Sequence, residues 1–274
     1  MKAEVLLFVR AMLARAYPRV IGLWREPSWM LQETVLPMMS VAAFALVYRA
    51  MGAEDYVAFA ILGGAMTAFW LNVLWAMGAQ FYWERNSGNL ELFVLAPCSM
   101  MAILAGMALG GMVMTLVRAL VIVAAGMLVF GVRFEPVSWW ALAGLFLLTL
   151  LALYGLGMVF ASAFLLWGRE AWHVVNLFQE PVYLVSGVNY PVRTLGVTVA
   201  VLASAIPLTL GVDALRQVLF PGTSEAIKLP LLDLATEVAL LAVLAVVYIA
   251  LAAWLLRVLE RIARREGRLT VRGQ

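Results

Sequence analysis

The sequence predicts an all-α integral membrane protein of six transmembrane helices. Three observations carry this: an extreme apolar composition, long runs free of charge, and basic residues gathered at the two ends. Of 274 residues, 65% are hydrophobic and 13% charged, whereas a soluble domain averages about 45–50% apolar and about 25% charged. That balance excludes a soluble globular enzyme and a disordered chain. The single cysteine, Cys98, excludes a disulfide scaffold and leaves the redox compartment unread. A net charge of +3 spread over membrane borders gives no nucleic-acid-binding patch.

The uncharged runs set the spans. A helix needs about 20 apolar residues to cross a hydrocarbon core of about 30 Å. Such runs lie at 34–48, 56–83, 92–117 and on past Arg118 to Val132, 136–168, 171–192 (interrupted by Glu180), 194–212 and 238–256. The first is short, and Trp29 to Leu31 extend it at the interface. Helices are required because only helices and closed barrels satisfy their backbone in lipid, and the alternation of a barrel strand is absent.

Charge then decides which runs cross. Lys2, Arg10, Arg15, Arg19 and Arg25 precede the first span, and Arg257, Arg261, Arg264, Arg265, Arg268 and Arg272 follow the last. The positive-inside rule places both ends in the cytoplasm of a multi-pass protein of the cell membrane, so the number of crossings is even. Seven runs are odd, and 194–212 is the one expected to enter and return. It follows the Asn189-Tyr190-Pro191 turn, and Pro207 and Gly211 break it. The six-span arrangement leaves 13 basic residues inside, five outside (Arg49, Arg133, Arg193, Arg216 and Lys228), and Arg118 within a span.

The N-terminal stretch lacks the apolar core and cleavage site of a signal peptide. At about 100° per residue, Glu4, Arg10, Arg15, Arg19 and Arg25 fall on one half of a helix and Val5, Leu6, Val9, Met12, Leu13, Val20, Leu23 and Trp24 on the other. Residues 3–26 therefore read as an amphipathic helix lying among lipid headgroups; a solvated helix packed on another domain is the alternative.

Motifs for soluble chemistry are missing. A phosphate-binding loop needs Gly before Lys, but Lys2 follows Met1 and Lys228 follows Ile227. The lone His173 has no ligand cluster around it, and no Gly-x-Ser-x-Gly elbow occurs. The chain is not expected to be an enzyme or to bind a cofactor or metal.

Between the second and third spans, on the cytoplasmic side, runs Trp83-Glu84-Arg85-Asn86-Ser87-Gly88-Asn89-Leu90-Glu91-Leu92-Phe93-Val94-Leu95-Ala96-Pro97-Cys98-Ser99. Charges alternate there with apolar residues, giving a short helix at 84–96 stopped before Pro97 and suited to a partner's groove. The pattern Glu-Arg-x-x-Gly-x-Leu-Glu followed by Pro-x-Ser resembles the coupling segment of the type-2 ABC exporter permeases (the ABC-2 type). Ser186-Gly187-Val188-Asn189-Tyr190-Pro191, then Pro207-Leu208-Thr209 and Val212-Asp213-Ala214-Leu215-Arg216, is similar to that family's extracellular region. Asn89 stands where Thr is usual, and Asn189 where an aromatic or aliphatic residue is commoner.

The resemblance covers nearly the whole chain. It implies a single transmembrane permease domain over 1–274, with extracellular re-entrant helices at 186–220 between spans 5 and 6 and a basic cytoplasmic tail at 257–274. It implies an exporter subunit working with a second permease, as a homodimer, and with two copies of an ATP-binding subunit that holds ATP and Mg²⁺. Glu84, Arg85, Gly88, Leu90, Glu91, Leu92 and Leu95 would meet that ATPase, and Asn189, Tyr190 and Pro191 would form the extracellular gate. Short loops favour efflux of a hydrophobic or amphipathic small molecule, such as a drug or lipid; export of a lipid-linked polysaccharide uses the same architecture. An ion-coupled carrier is the rival class, but the internal repeats usual in carriers are not seen.

Polar groups at membrane depth mark function or paired structure. Arg118 falls about 19 residues, or roughly 28 Å, past Ser99, towards the outer half, where it can snorkel to headgroups or serve the path. Glu180, before Pro181, with Asn176 and Gln179 on adjoining faces, contributes either a structural hydrogen bond or a polar patch on the translocation path. Asn72 is expected to make a helix–helix hydrogen bond, and Ala102, Gly106 and Gly110 form a small-residue stripe for close packing. Trp83, Trp139, Trp140, Trp167, Trp172 and Trp254 form the interfacial aromatic belt.

Overall fold

The computed structural model describes residues 2–25, 27–167, 171–220 and 229–266. Lys228, Arg268 and Arg272 lie outside these residues, as do the side chains of Glu91, Trp167 and Trp172. The order is α1 (Lys2–Trp24), α2 (Pro27–Ala50), α3 (Asp55–Leu71), a π-helical stretch (Asn72–Gly78), α4 (Gln80–Asn86), α5 (Asn89–Leu95) and α6 (Met100–Phe130). Then come α7 (Trp139–Trp167), α8 (Ala171–Val185), a 3₁₀ turn (Val192–Leu195), α9 (Val197–Ala203), α10 (Pro207–Leu219) and α11 (Leu234–Glu266). No strand occurs among the described residues.

Among the described residues five stretches are long and apolar enough to cross a bilayer: Glu33–Ala50, Asp55–Asn86, Met100–Phe130, Trp139–Ser162 and Leu234–Val258. The expected fifth span at 171–192 differs. Its helix, α8, covers 15 residues, about 22 Å and short of the roughly 30 Å hydrocarbon core. Beyond it, α9 and α10 meet at 107° across the Ser204–Ile206 break. The uncharged run continued past Val185, but Ser186-Gly187 ends the helix, with Gly187 at φ +68°.

The second crossing reaches 32 residues, about 48 Å, and α6 reaches 31, about 46 Å. Both overshoot the hydrocarbon thickness. Their core is tightly packed: Trp70, Phe69, Met77 and Phe81 of the second crossing meet Leu104 and Met107 of α6 and Tyr154 of α7, all buried. Ser99 caps α6, its Oγ accepting the Ala102 N–H at 3.1 Å. Asp233 caps α11, accepting the Thr236 N–H at 3.0 Å and the Thr236 hydroxyl at 2.6 Å.

The small-residue stripe on α6 has a specific occupant. A Cβ on Gly106 would lie 2.4 Å from the Met12 carbonyl oxygen, and one on Gly110 would lie 3.0 Å from the Ala16 carbonyl oxygen. The backbone of α1 thus lies directly on α6, a contact that only small residues permit. Four residues on α1 match four on α6, so the two helices run side by side in the same direction. The apolar Val5, Leu6, Leu13 and Tyr17 are exposed, while Arg15 and Arg19 are partly buried. The amphipathic helix therefore keeps these two arginines for the protein and its apolar side for lipid.

The aromatic belt is exposed where its side chains are described: Trp83, Trp139, Trp140 and Trp254 all face outward.

Candidate functional site

The Gln80–Asn86 end of the second crossing is built around the Glu84 carboxylate. Glu84 lies on α4, with 8% of its side chain accessible. Arg15 of α1 makes an ion pair with it, Gln80 Nε2 donates to it at 2.8 Å, and Asn89 Nδ2 of α5 donates at 2.9 Å. Arg19 of α1 donates in turn to Gln80 Oε1. Burial pulls the Arg19 guanidinium below its ordinary pKa, as removing a cation from water must. One carboxylate thereby joins α1, α4 and α5.

This differs from the single helix expected at 84–96. The helix breaks at Ser87-Gly88, with Gly88 at φ +78°, a conformation glycine adopts without the strain of a Cβ. Past the break Asn89 bonds back to Glu84 and Leu90 packs into the core, where it is 1% exposed. Leu92 and Leu95 point outward at 64% and 81% exposure. Glu84 and Leu90, expected on the docking face, are thus inward residues, and Leu92 and Leu95 form the outward apolar pair. The Arg85 guanidinium lies 5.8 Å from the centre of the Tyr82 ring; Glu91 belongs to α5.

Arg118 does not snorkel. It is 4% exposed and pairs with Glu33 of α2. Counting from Ser99 misplaced it, because α6 overshoots the bilayer alongside α1; counted from Phe130 it is 12 residues in, about 18 Å. A guanidinium at that depth needs an anion more than it needs distant headgroups. Asn72 accepts a hydrogen bond from the Tyr154 hydroxyl of α7 at 2.9 Å, the interhelical contact expected of it.

The α8 residues form a separate patch. Trp75 Nε1 donates to Gln179 Oε1 at 2.7 Å, and Gln179 Nε2 donates to Glu180 Oε1 at 3.3 Å. Asn176, Glu180 and Pro181 are exposed. Arg118 and Asn72 are committed to other partners, so the five residues grouped for a path divide into two sets.

After α8, three tethers hold the Val188 to Pro191 turn. Arg216 Nη2 donates to the Val188 carbonyl at 2.8 Å, the Tyr48 hydroxyl donates to the Asn189 carbonyl, and the Tyr190 hydroxyl donates to the Leu184 carbonyl. Pro191 is buried. Asp213 Oδ2 accepts the Leu231 N–H at 2.7 Å, and Glu237 accepts the Leu232 N–H at 3.1 Å and Gln217 Nε2 at 2.9 Å. Asp213 and Arg216 of the quoted motif therefore brace this region from within.

Sequence reasoning did not pair Glu33 with Arg118, Arg15 with Glu84, or Trp75 with Gln179. The one available signal was charge at the margin of an apolar run, as at Glu33.

Among the described residues, five crossing-length apolar helices and a sixth candidate in the bent pair define a multi-pass membrane protein. The family model for the ABC-2 type transporter matches residues 9–220, and the chain belongs to that family. It is the membrane permease of an ABC transporter, a transport subunit without catalysis of its own. No curated relative matches the chain.

Proposed function

We propose that this chain is the permease of an ATP-driven exporter in the plasma membrane, with both termini cytoplasmic, moving hydrophobic or amphipathic small molecules. It works as a homodimer with two ATP-binding subunits, which hold ATP and Mg²⁺. The observation that supports this best is the Glu84 junction. Leu92 and Leu95 offer an apolar surface to a partner's groove, and the α5 that bears them is tied through Asn89 and Glu84 to α1 and the second crossing. Closure of the ATP-binding subunits would push α5, and the junction would pass that push to α1 and α4. The re-entrant α9–α10 pair would close the outer side with Asn189, Tyr190 and Pro191 as the gate, while Asn176, Gln179 and Glu180 face the path between two copies.

The test is reconstitution of the chain with its ATP-binding partner in proteoliposomes. Leu92→Ala with Leu95→Ala should leave folding intact and separate ATP turnover from cargo movement. Cargo movement by the chain alone, driven by an ion gradient, would overturn the reading.

A further inference from the structure

Four carboxylates in or beside the spans have partners within the chain. Glu33 faces Arg118, Glu84 faces Arg15, Asp213 faces the Leu231 amide, and Glu237 faces the Leu232 amide and Gln217. Among the described residues no cation pairs with Glu180, which is exposed and takes a 3.3 Å hydrogen bond from Gln179. That amide is oriented: its oxygen is held by Trp75 at 2.7 Å, so its NH₂ end is directed to the carboxylate. Leu177 and Leu184, 71% and 60% exposed, lie three and four residues either side of Glu180, on the same helical stripe.

Depth adds to this. Trp75 is 20 residues beyond Asp55 in the second crossing, about 30 Å from its outer end and so at the inner-leaflet border. Cations concentrate at that border, because the anionic inner leaflet attracts them. A fixed negative charge within an apolar stripe there complements a solute with an apolar body and a positive charge.

We infer that this permease takes lipophilic organic cations, received at the inner-leaflet border by the Glu180 carboxylate between Leu177 and Leu184 of α8. The inference rests on the exporter reading above and names its substrate class. In a homodimer two such carboxylates would face one path, strengthening the preference for positive charge. Gln179 and Trp75 act as positioning residues.

The test uses the full chain in nanodiscs of zwitterionic lipid, with empty nanodiscs subtracted. Tetraphenylphosphonium and tetraphenylborate have the same shape and opposite charge. The cation should bind saturably and more tightly than the anion. Glu180→Gln should weaken the cation by about tenfold or more, as a charge–charge contact partly open to water becomes a charge–dipole contact. Glu180→Asp should retain most of the affinity. Equal binding of the two ions, or an unchanged affinity in Glu180→Gln, would overturn the inference. Should Glu180→Gln fail to fold, the wild-type comparison of the two ions still decides. Proteoliposomes carrying the chain and its ATP-binding partner separate the two claims. ATP-driven movement of the neutral dye Nile red, with tetraphenylphosphonium left behind, defeats the charge preference alone. No ATP-driven movement of either compound defeats the exporter reading.

Discussion

Removing the charge from Glu33 tests the buried pair that fixes α2 against α6. Glu33→Gln keeps the shape but leaves the Arg118 guanidinium, with 5% of its side chain accessible, facing a neutral amide. Stranding one member of a fully buried pair costs about 3–5 kcal/mol. Glu33 is 29% accessible, so water and headgroups recover part of this, and about 2–4 kcal/mol remains. Arg118→Met costs less, about 1–2 kcal/mol, because methionine suits hydrocarbon and the remaining Glu33 side chain is 29% accessible. In the double variant neither ion is stranded, so a coupling energy of about 1.5–3 kcal/mol is expected from the cycle. Denaturant unfolding in bicelles, followed by the fluorescence of the ten tryptophans, measures it. A coupling energy below about 0.3 kcal/mol would refute the pair and return Arg118 to the outer headgroups.

Three further outcomes follow from packing and capping. Gly106→Leu should detach α1, because even a Cβ would meet the Met12 carbonyl at 2.4 Å; protease sensitivity of the first 25 residues should rise, whereas Gly110→Ala, at 3.0 Å, should be milder. Leu90→Ala should cost about 2–5 kcal/mol as a core truncation, while Leu92→Ala should leave the unfolding midpoint unchanged. Asp233 is held below its ordinary pKa of 3.8 by the Thr236 hydroxyl and then by the Thr236 backbone. Its cap is therefore complete above that value and lost as pH falls through the lower folded one. Amide exchange at the start of α11 should quicken below that range in the wild type, and at neutral pH in Asp233→Ala.

Hydropathy located the long helices because crossing a bilayer demands consecutive apolar residues, a property of one segment at a time. The second, third, fourth and last spans were legible for that reason, as was the stripe of small residues on α6. Partners were not legible. Arg15 and Glu84 are 69 positions apart, and nothing local in either stretch says that α1 will lie along α6. The fifth span was overestimated because an apolar run does not reveal whether its residues meet lipid or the folded α9–α10 pair. Leu90 and Leu92 fall on opposite sides of α5 by helical periodicity, but which of the two faces the core is set by how α5 packs after the break at Gly88.

The wider winding at Asn72–Gly78 bears on how this gene can tolerate insertion and deletion. A helix bonded i→i+5 absorbs surplus chain, so whatever follows is rotated relative to an ordinary α-helix by roughly the angular step of one residue, about 100°. Gln80 and Glu84 owe their bearing to that phase. Losing a single codon inside the stretch would preserve the apolar length needed for crossing, yet swing both side chains away from Arg15 and Arg19. Seen this way, the segment sets the rotational timing of the Gln80–Asn86 helix that follows it.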